Sequence, residues 1–255
     1  MQSMFSADCR QCHRLARFLD EVKIRYPDYH ARPVPAFGDV MPKLLIIGLA
    51  PGMHGANRTG RPFTGDFAGI LLYRTLYKFG LANHEGSASV EDNLQLMHCR
   101  VTNAVKCLPP ENKPEPGEIR QCNGYLAAEI ADFTKDGGTA LLALGGVAHR
   151  AALMALGLKQ KAYPFGHGAI HELTACPASD SLKPGSLTLY DSYHCSRYNT
   201  QTRRLTAEMF EQVFAKICSD LAFHQKLETT NPCPTSIYAL PAPSAASRRN
   251  RLLRK

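Results

Sequence analysis

The fold is decided by residues 43–80, KLLIIGLAPGMHGANRTGRPFTGDFAGILLYRTLYKFG. The stretch begins with a short apolar run, which predicts a buried strand, and ends with a segment of helical periodicity. The loop between them, residues 48–66, is rich in glycine and polar side chains. It matches neither GxGxxG nor the GxxxxGK phosphate loop, so a dinucleotide or a nucleoside triphosphate is not the expected ligand. The stretch predicts a strand, a ligand-binding loop and a helix.

Apolar runs and helical segments alternate along the rest of the chain. Strands are predicted at residues 43–50, 98–105, 139–145 and 186–194, and helices near residues 14–23, 67–80, 115–134, 146–157 and 203–225. This order favours a three-layer α/β/α fold around a central, mostly parallel four-stranded sheet. Ligands of such sheets bind beyond the carboxyl ends of the strands. The loops after Gly48, after Val105 and at His194 are expected there.

The remaining segments set the domain boundaries. The length of 255 residues, with 44% hydrophobic and 20% charged residues, predicts one catalytic domain over residues 1–230. Residues 20–42 are predicted to be irregular and residues 163–173 to form a hairpin. Residues 231–255 are rich in Pro, Ala and Ser and are predicted to be a flexible tail.

The chain is basic, with a formal net charge of +8, which suits an anionic partner. Five of these charges come from the basic residues within 248–255, so the tail is either a nucleic-acid arm or a solubilising extension. No apolar run approaches the roughly 20 residues that span a bilayer, and the first residues do not resemble a signal peptide. We therefore expect no membrane association and a cytoplasmic location.

Four of the nine cysteines have spacings typical of a metal centre. Cys9 and Cys12 form a CxxC unit, and Cys107 and Cys122 flank a short polar segment. Four thiolates suit zinc or an iron–sulfur cluster, and the spacing does not choose between them. The alternatives are a redox dithiol at the CxxC unit and simple burial of the other two thiols. The other five are predicted to be non-ligands: Cys99, Cys176, Cys195, Cys218 and Cys233.

Three motifs in register resemble the iron–sulfur uracil-DNA glycosylases, and specifically their type 5 branch. They are GLAPGMHGANRTGRPFTGD (48–66), TNAVKCLPPENKP (102–114) and DSYHCSRYNTQTRRLT (191–206). The resemblance implies a uracil-DNA glycosylase-like fold and one structural [4Fe-4S] cluster held by Cys9, Cys12, Cys107 and Cys122. It also implies an enzyme that removes uracil, and other deaminated bases such as hypoxanthine, from double- or single-stranded DNA. A monomer is expected, because a base-flipping enzyme needs only one site on its duplex. A base must leave the stack to be cut, so base flipping is expected.

The resemblance assigns roles to individual residues. Phe63 is expected to stack on the flipped base, and the amide of Asn103 can pair with a uracil edge through one donor and one acceptor. His194 is expected to donate to the oxyanion of the leaving base. Asp66 is the first acidic residue of its motif, so it is the predicted water partner, although an aspartate before a helix also suits an N-cap.

Further residues are expected around this pocket. Predicted base-binding residues are Ala50, Gly52, His54 and Asn199, and predicted phosphate or wedge contacts are Arg58, Arg61, Arg197, Arg203 and Arg204. Two readings compete with the glycosylase. One is a non-catalytic iron–sulfur or zinc DNA-binding protein of the same fold. The other is a hydrolase with Cys195 as nucleophile beside His194, which is disfavoured because adjacent residues of an extended chain point to opposite faces.

Overall fold

The computed structural model describes residues 5–173 and 187–223. It contains one six-stranded sheet in the order β1-β3-β2-β4-β6-β5. The strands are β1 (Phe37–Gly38), β2 (Leu44–Gly48), β3 (Cys99–Asn103), β4 (Ala140–Leu144), β5 (Ile170–Leu173) and β6 (Leu187–Ser192). Strands β3, β2, β4 and β6 are parallel, whereas β1 and β5 pair antiparallel at the two edges.

Helices cover both faces of this sheet. They are α1 (His13–Arg25), α2 (Ala56–Thr59), α3 (Phe67–Lys78), α4 (Pro116–Lys135), α5 (Gly146–Ala155), α6 (Arg197–Gln201) and α7 (Ala207–Asp220). Along β2, Leu44 and Ile46 pack in one core with α3 and α7, while Leu45 and Ile47 pack in the other core with α4 and α5. Successive strand residues point to opposite faces, so a continuous apolar run fills both layers. This confirms the predicted α/β/α arrangement.

The prediction of four strands is wrong by two edge strands. The four central strands lie where the apolar runs predicted them. Strand β1 has only two residues, and three of the four positions of β5 are exposed or half-exposed. Neither segment has the apolar run or the alternation by which a strand is recognised, because an edge strand is covered on fewer sides.

Three local predictions also need correction. Residues 20–42 are not uniformly irregular, since α1 continues to Arg25 and β1 lies at Phe37–Gly38. Residues 163–173 do not form a hairpin of their own, because β5 pairs with β6 instead. The last predicted helix, at residues 203–225, is shorter than predicted, because α7 begins at Ala207, after the N-cap Thr206, and ends at Asp220. The predicted tail at 231–255 lies outside the described residues.

The topology brings the predicted motifs together. Strands β2, β3, β4 and β6 run in the same direction, so their carboxyl ends share one edge of the sheet. The 48–66 loop, Asn103, the turn at Gly145 and the segment around His194 all leave from that edge. Among the described residues, no helix is both long and apolar enough to cross a membrane.

Candidate active site

A cavity of about 470 Å³ opens at the carboxyl ends of the four parallel strands. Its wall includes seven of the predicted site residues: Ala50, Gly52, Phe63, Asp66, Asn103, His194 and Arg197. The first four belong to the loop between β2 and α3, and the others come from the ends of β3 and β6. Three separate chain segments therefore bring these residues to one pocket of a size that suits a small planar ligand.

Phe63 is held tightly by its surroundings. Its backbone has a φ of 53°, a left-handed conformation that is rare for an aromatic residue. One part of the ring packs on the core and another part lines the cavity, so Phe63 can support the core and also stack on a ligand. Gly69 permits this conformation, because a Cβ there would lie 1.8 Å from the Phe63 carbonyl oxygen. Backbone strain of this kind is typical of functional sites.

Gly48 allows the two recognition side chains to approach the strand end. A Cβ at this position would lie 2.4 Å from Asn103 Oδ1 and 2.7 Å from Phe63 Cζ. We expect Gly48→Ala to displace both groups, to destabilise the fold by about 1–3 kcal/mol through overpacking, and to raise the KM for a substrate that contacts them. Steady-state kinetics with thermal unfolding checks this. The control is Gly117→Ala on α4, where an added Cβ meets nothing within 4 Å and the backbone is helical. An unchanged KM for Gly48→Ala would contradict the prediction.

Asn103 presents an unused acceptor. It is almost fully buried, at 3% exposure, and its Oδ1 has no hydrogen-bond partner among the described residues. An unsatisfied buried carbonyl oxygen costs free energy, so its presence at a cavity wall indicates a ligand that donates a hydrogen bond. A side chain that served only to cap the backbone at the end of β3 would use this oxygen as an acceptor.

The carboxylate of Asp66 divides its two oxygens between two tasks. Oδ1 accepts from the Gly69 backbone N–H at 2.8 Å and caps α3. Oδ2 faces Gly52 and Gly55, where added Cβ atoms would lie 3.7 Å and 2.3 Å away. Burial raises the pKa of Asp66, and hydrogen bonds from two backbone N–H groups oppose that rise. One oxygen caps the helix while the other faces the cavity, so capping and chemistry are compatible.

His194 lies opposite the aromatic ring. Its imidazole is nearly parallel to the Phe63 ring, with 6.0 Å between the ring centroids and 26° between the planes. Burial lowers the pKa of His194 to about 4, so the imidazole is neutral at neutral pH. Asn199 does not line the cavity: its Nδ2 donates to the His194 carbonyl oxygen at 2.7 Å. Asn199 thus orients the histidine rather than contacting a base directly.

These two pKa shifts predict a pH profile for any reaction that needs a carboxylate at Asp66 and a neutral His194. The rate is flat near neutrality and falls as the pH drops through the raised pKa of Asp66, because the carboxylate becomes protonated there. His194 adds a second loss only near pH 4. Single-turnover rates across this range, for the wild type and an Asp66→Asn variant, test the prediction. An acid limb with the same midpoint and steepness in both proteins would contradict the assignment to Asp66.

Two predicted contacts disagree with the structure. Arg61 is buried and cannot reach DNA phosphates: it pairs with Asp92 at 2.5 Å and donates to Thr64 and Ser89. It ties the loop to residues 87–92. His54 does not line the cavity, because its Nδ1 is 2.8 Å from the Tyr29 hydroxyl and its ring packs edge-on against Tyr26. In both cases a polar side chain in a loop has a partner within the protein.

The other predicted arginines have different surroundings. Arg58 donates to the His54 carbonyl oxygen at 2.7 Å and packs over Gly65, so it is largely committed to the loop. Arg197 lines the cavity and stacks over the Phe67 ring. Arg203 is exposed, and Arg204 is exposed with its guanidinium over the Tyr193 ring. Arg197, Arg203 and Arg204 remain available to phosphates.

The four predicted ligand cysteines line one small cavity between α1 and the start of α4. All four are free thiols, and the Lys106 backbone N–H donates to Cys122 Sγ at 3.3 Å. Burial and the neighbouring thiols raise the pKa of Cys107 to about 12, and burial raises that of Cys122 to about 11. Four converging thiolates need a cation to neutralise them, so this donor set fits a metal centre.

Cys195 does not fit the role of a nucleophile. Its side chain is fully buried in the core that includes Phe210 and Phe214, and burial raises its pKa well above the ordinary value. A buried, protonated thiol is unreactive. The competing hydrolase hypothesis therefore has no support in the geometry.

Sequence reasoning missed part of the cavity wall. Gly145, Gly146 and Val147 follow β4 and line the pocket, as do Asn112 and Phe67. The double glycine at a strand end, LGGVAH, was an available signal, because it leaves the same edge of the sheet as the three motifs. No comparable sequence signal marked Asn112, because an irregular segment separates it from the end of β3.

The fold and the site define an α/β protein whose pocket, at the ends of parallel strands, combines an aromatic surface with a free amide acceptor. Residues 35–222 match the family model of the uracil DNA glycosylase superfamily. The chain belongs to this superfamily and, within it, to the type-5 branch, which confirms the resemblance of the three motifs.

Several relatives carry the name type-5 uracil-DNA glycosylase, among them the following three. The protein from Thermus thermophilus is 44% identical over 210 residues, covering 80% of this chain and 90% of the relative. The Mycobacterium bovis protein is 41% identical over 216 residues, covering 81% and 75%. The Pyrobaculum aerophilum protein is 36% identical over 217 residues, covering 84% and 89%.

Proposed function

We propose that this protein is a monofunctional DNA glycosylase that hydrolyses the bond between uracil and deoxyribose in DNA, leaving an abasic site and initiating base excision repair. The observation that carries the proposal is the buried, unpartnered Oδ1 of Asn103 at the wall of a pocket floored by Phe63. The family and its type-5 relatives support the same reaction.

Recognition of the base rests on two side chains. The Phe63 ring stacks on the flipped pyrimidine, and Asn103 Oδ1 accepts from the N3–H of uracil while its Nδ2 donates to the neighbouring carbonyl. Cytosine lacks a proton on N3, so the free acceptor disfavours it. The pocket beside Gly48 and Phe63 receives the base only after the base leaves the DNA double helix. This unstacking costs a few kcal/mol of free energy.

Cleavage needs stabilisation at both ends of the breaking bond. The uracil leaves as an anion, and neutral His194 donates a hydrogen bond to its oxygen. The sugar becomes oxocarbenium-like, and Asp66 Oδ2 orients and deprotonates the water that attacks C1′. Asn199 contributes by holding the backbone of His194. Ala50 and Gly52 line the pocket, and their small size lets the base approach the backbone.

The proposed base range is wider than uracil. The resemblance of the three motifs to the type-5 branch implies activity on other deaminated bases, including hypoxanthine. Met53 packs against the core beside the cysteine cavity, so its side chain is directed away from the base. Rates on duplexes with hypoxanthine in place of uracil test this extension separately from the main proposal.

A [4Fe-4S] cluster bound by Cys9, Cys12, Cys107 and Cys122 belongs to the proposal as a structural group. It supplies a cross-link between α1 and the segment that follows β3, and hydrolysis requires no electron transfer from it. Arg14 reinforces the same junction through a two-pronged pair with Glu118, at 2.8 and 2.7 Å. Iron and acid-labile sulfide analysis tests this, and a protein that contains zinc and no sulfide would contradict it.

DNA binding involves the rim of the cavity. Arg197, Arg203 and Arg204 are placed to contact phosphates of double- or single-stranded DNA, and Tyr198 beside them is 70% exposed. Arg197 at the cavity wall is also the nearest of them to the gap left by the base. One site on one duplex suffices, which is consistent with a monomer. In this proposal residues 1–230 form a single catalytic domain. The basic tail is proposed as an additional DNA contact.

The experiment that tests the proposed function uses an end-labelled duplex with one uracil, followed by alkali. We expect strand cleavage at the uracil and none in the thymine control. Binding without cleavage by protein with a full iron content would favour the non-catalytic DNA-binding alternative. Binding should weaken as salt rises, because phosphate contacts release counterions.

A further inference from the structure

Three ligand-type side chains meet on the far side of β6 from the cysteines. His149 on α5, His171 on β5 and Asp191 on β6 place a ligating atom each within 4.8 Å of the other two. Asp191 and His149 are buried at 0% and 1% exposure. The side chain of His171 is 12% exposed, so the cluster has one edge near solvent. The proposed glycosylase reaction uses none of the three.

The hydrogen bonds of His149 fix the position of its protons. Its Nε2 is 2.8 Å from the carbonyl oxygen of Tyr163, which can only accept, so Nε2 carries the proton. Its Nδ1 is 2.8 Å from Asp191 Oδ1, which is also an acceptor. Two lone pairs cannot face each other at this distance, so a cation lies between them. That cation is either a second proton or a metal ion.

The second imidazole favours the metal ion. His171 Nε2 approaches the other oxygen of the same carboxylate, at 3.3 Å. A proton shared between His149 and Asp191 would involve only one imidazole. Two imidazoles and a carboxylate, in contrast, form a typical three-ligand set for zinc. The carbonyl of Tyr163 at the remote nitrogen of His149 is also the usual arrangement for a metal-bound histidine, because it fixes the tautomer and the ring orientation.

We propose that His149 Nδ1, His171 Nε2 and Asp191 together bind one divalent transition-metal ion of the zinc class. Nitrogen and carboxylate ligands suit zinc, whereas the four thiolates of the other site suit an iron–sulfur cluster, so the two centres differ in chemistry. The separation of 3.3 Å between His171 and Asp191 matches two ligands on a tetrahedral ion with bonds of about 2.0–2.1 Å. The His149 Nδ1 pair involves the other carboxylate oxygen, Oδ1, and at 2.8 Å it would have to widen when the ion binds.

The ion would join three elements near the active site. Helix α5, edge strand β5 and strand β6 each contribute one ligand, and β6 leads within three residues from Asp191 to His194. Asp191 lies near the carboxyl end of β6, so the ion would join β5 to β6 at the end of the pair that leads to His194. The expected effect of metal is therefore stability of this region, measured as a rise in thermal midpoint.

Zinc binding to the full-length, cluster-containing protein tests the proposal. The protein is treated with a chelator, dialysed and titrated with zinc sulfate, with calorimetry and metal analysis as readouts. We expect the wild type to bind one zinc ion per chain. In His171→Ala the affinity for zinc should fall by more than the roughly 10–100-fold that is typical of an outer-shell change. His171 is chosen because it is the least buried ligand, and His84→Ala, outside the cluster, is the matched control.

Zinc-edge X-ray absorption separates this site from the cysteines. The proposal predicts nitrogen and oxygen neighbours at about 2.0–2.1 Å, whereas zinc in the cysteine cavity gives sulfur neighbours at about 2.3 Å. A sulfur shell, an unchanged affinity in His171→Ala, or no zinc binding by wild-type protein would each overturn the proposal and leave a proton between His149 and Asp191. None of these outcomes depends on glycosylase activity, so the proposal stands or falls separately from the proposed function.

Discussion

Asp66→Asn is expected to lower the single-turnover rate of uracil excision by roughly 10²–10⁴-fold, the usual contribution of a general base. The reason is the division of labour between the two carboxylate oxygens. Asparagine keeps an oxygen for the Gly69 N–H, so the cap of α3 persists, but it presents an amide and no negative charge to the cavity. The thermal midpoint should stay close to that of the wild type.

Asp66→Ala is the companion variant for this prediction. It removes the cap as well as the charge, so it loses about 1 kcal/mol of stability in addition to the rate. Chemistry and capping are separated by comparing the two variants in the same unfolding and single-turnover assays. Wild-type excision by the Asn variant would rule out water activation by Asp66, and the electrostatics of the DNA and the pocket would then carry the catalysis.

His194→Ala is expected to reduce the rate of excision by roughly 10²–10³-fold, the typical effect of removing one oxyanion donor. Burial lowers the pKa of His194 to about 4, so the neutral imidazole is the donor at neutral pH. Because the donor acts on charge that develops in the transition state, kcat should fall more than KM changes. Steady-state kinetics provides both values.

The leaving group gives a sharper test of the same residue. Fluorine at position 5 of uracil withdraws electrons and stabilises the departing anion, so the defect of His194→Ala should be smaller on 5-fluorouracil than on uracil. His84→Ala serves as the control, since it lies away from the cavity. Equal defects on the two bases would contradict a role in stabilising the anion and would indicate only lost positioning.

The central part of the fold could be predicted because its signals are local. The two central strands, β2 and β4, are buried along their whole length and appear as continuous apolar runs, and the loop from Gly48 to Asp66 follows directly on the first of them. The edge strands β1 and β5 could not be predicted, because their pairing depends on neighbours distant in sequence. The capping of α3 by Asp66 could be predicted, because an N-cap is a local sequence signal.

The site residues divide in a similar way. Phe63, Asn103, Asp66 and His194 were predicted from motifs and lie around one cavity. The partners of Arg61 and His54 could not be foreseen, because Asp92 and Tyr29 are brought to them only by the fold. His149, His171 and Asp191 illustrate the limit: their spacing suggests nothing, and only the packing of α5 and β5 on β6 brings them together.

The most direct measurement of the central claim compares the released base with the abasic sites formed. Protein with its full iron content is incubated in excess over a duplex with one uracil, and free uracil is quantified by chromatography beside alkali-labile ends. We predict one uracil released for each abasic site formed, and neither product from the thymine control. A duplex that is bound but yields no free uracil would contradict the account.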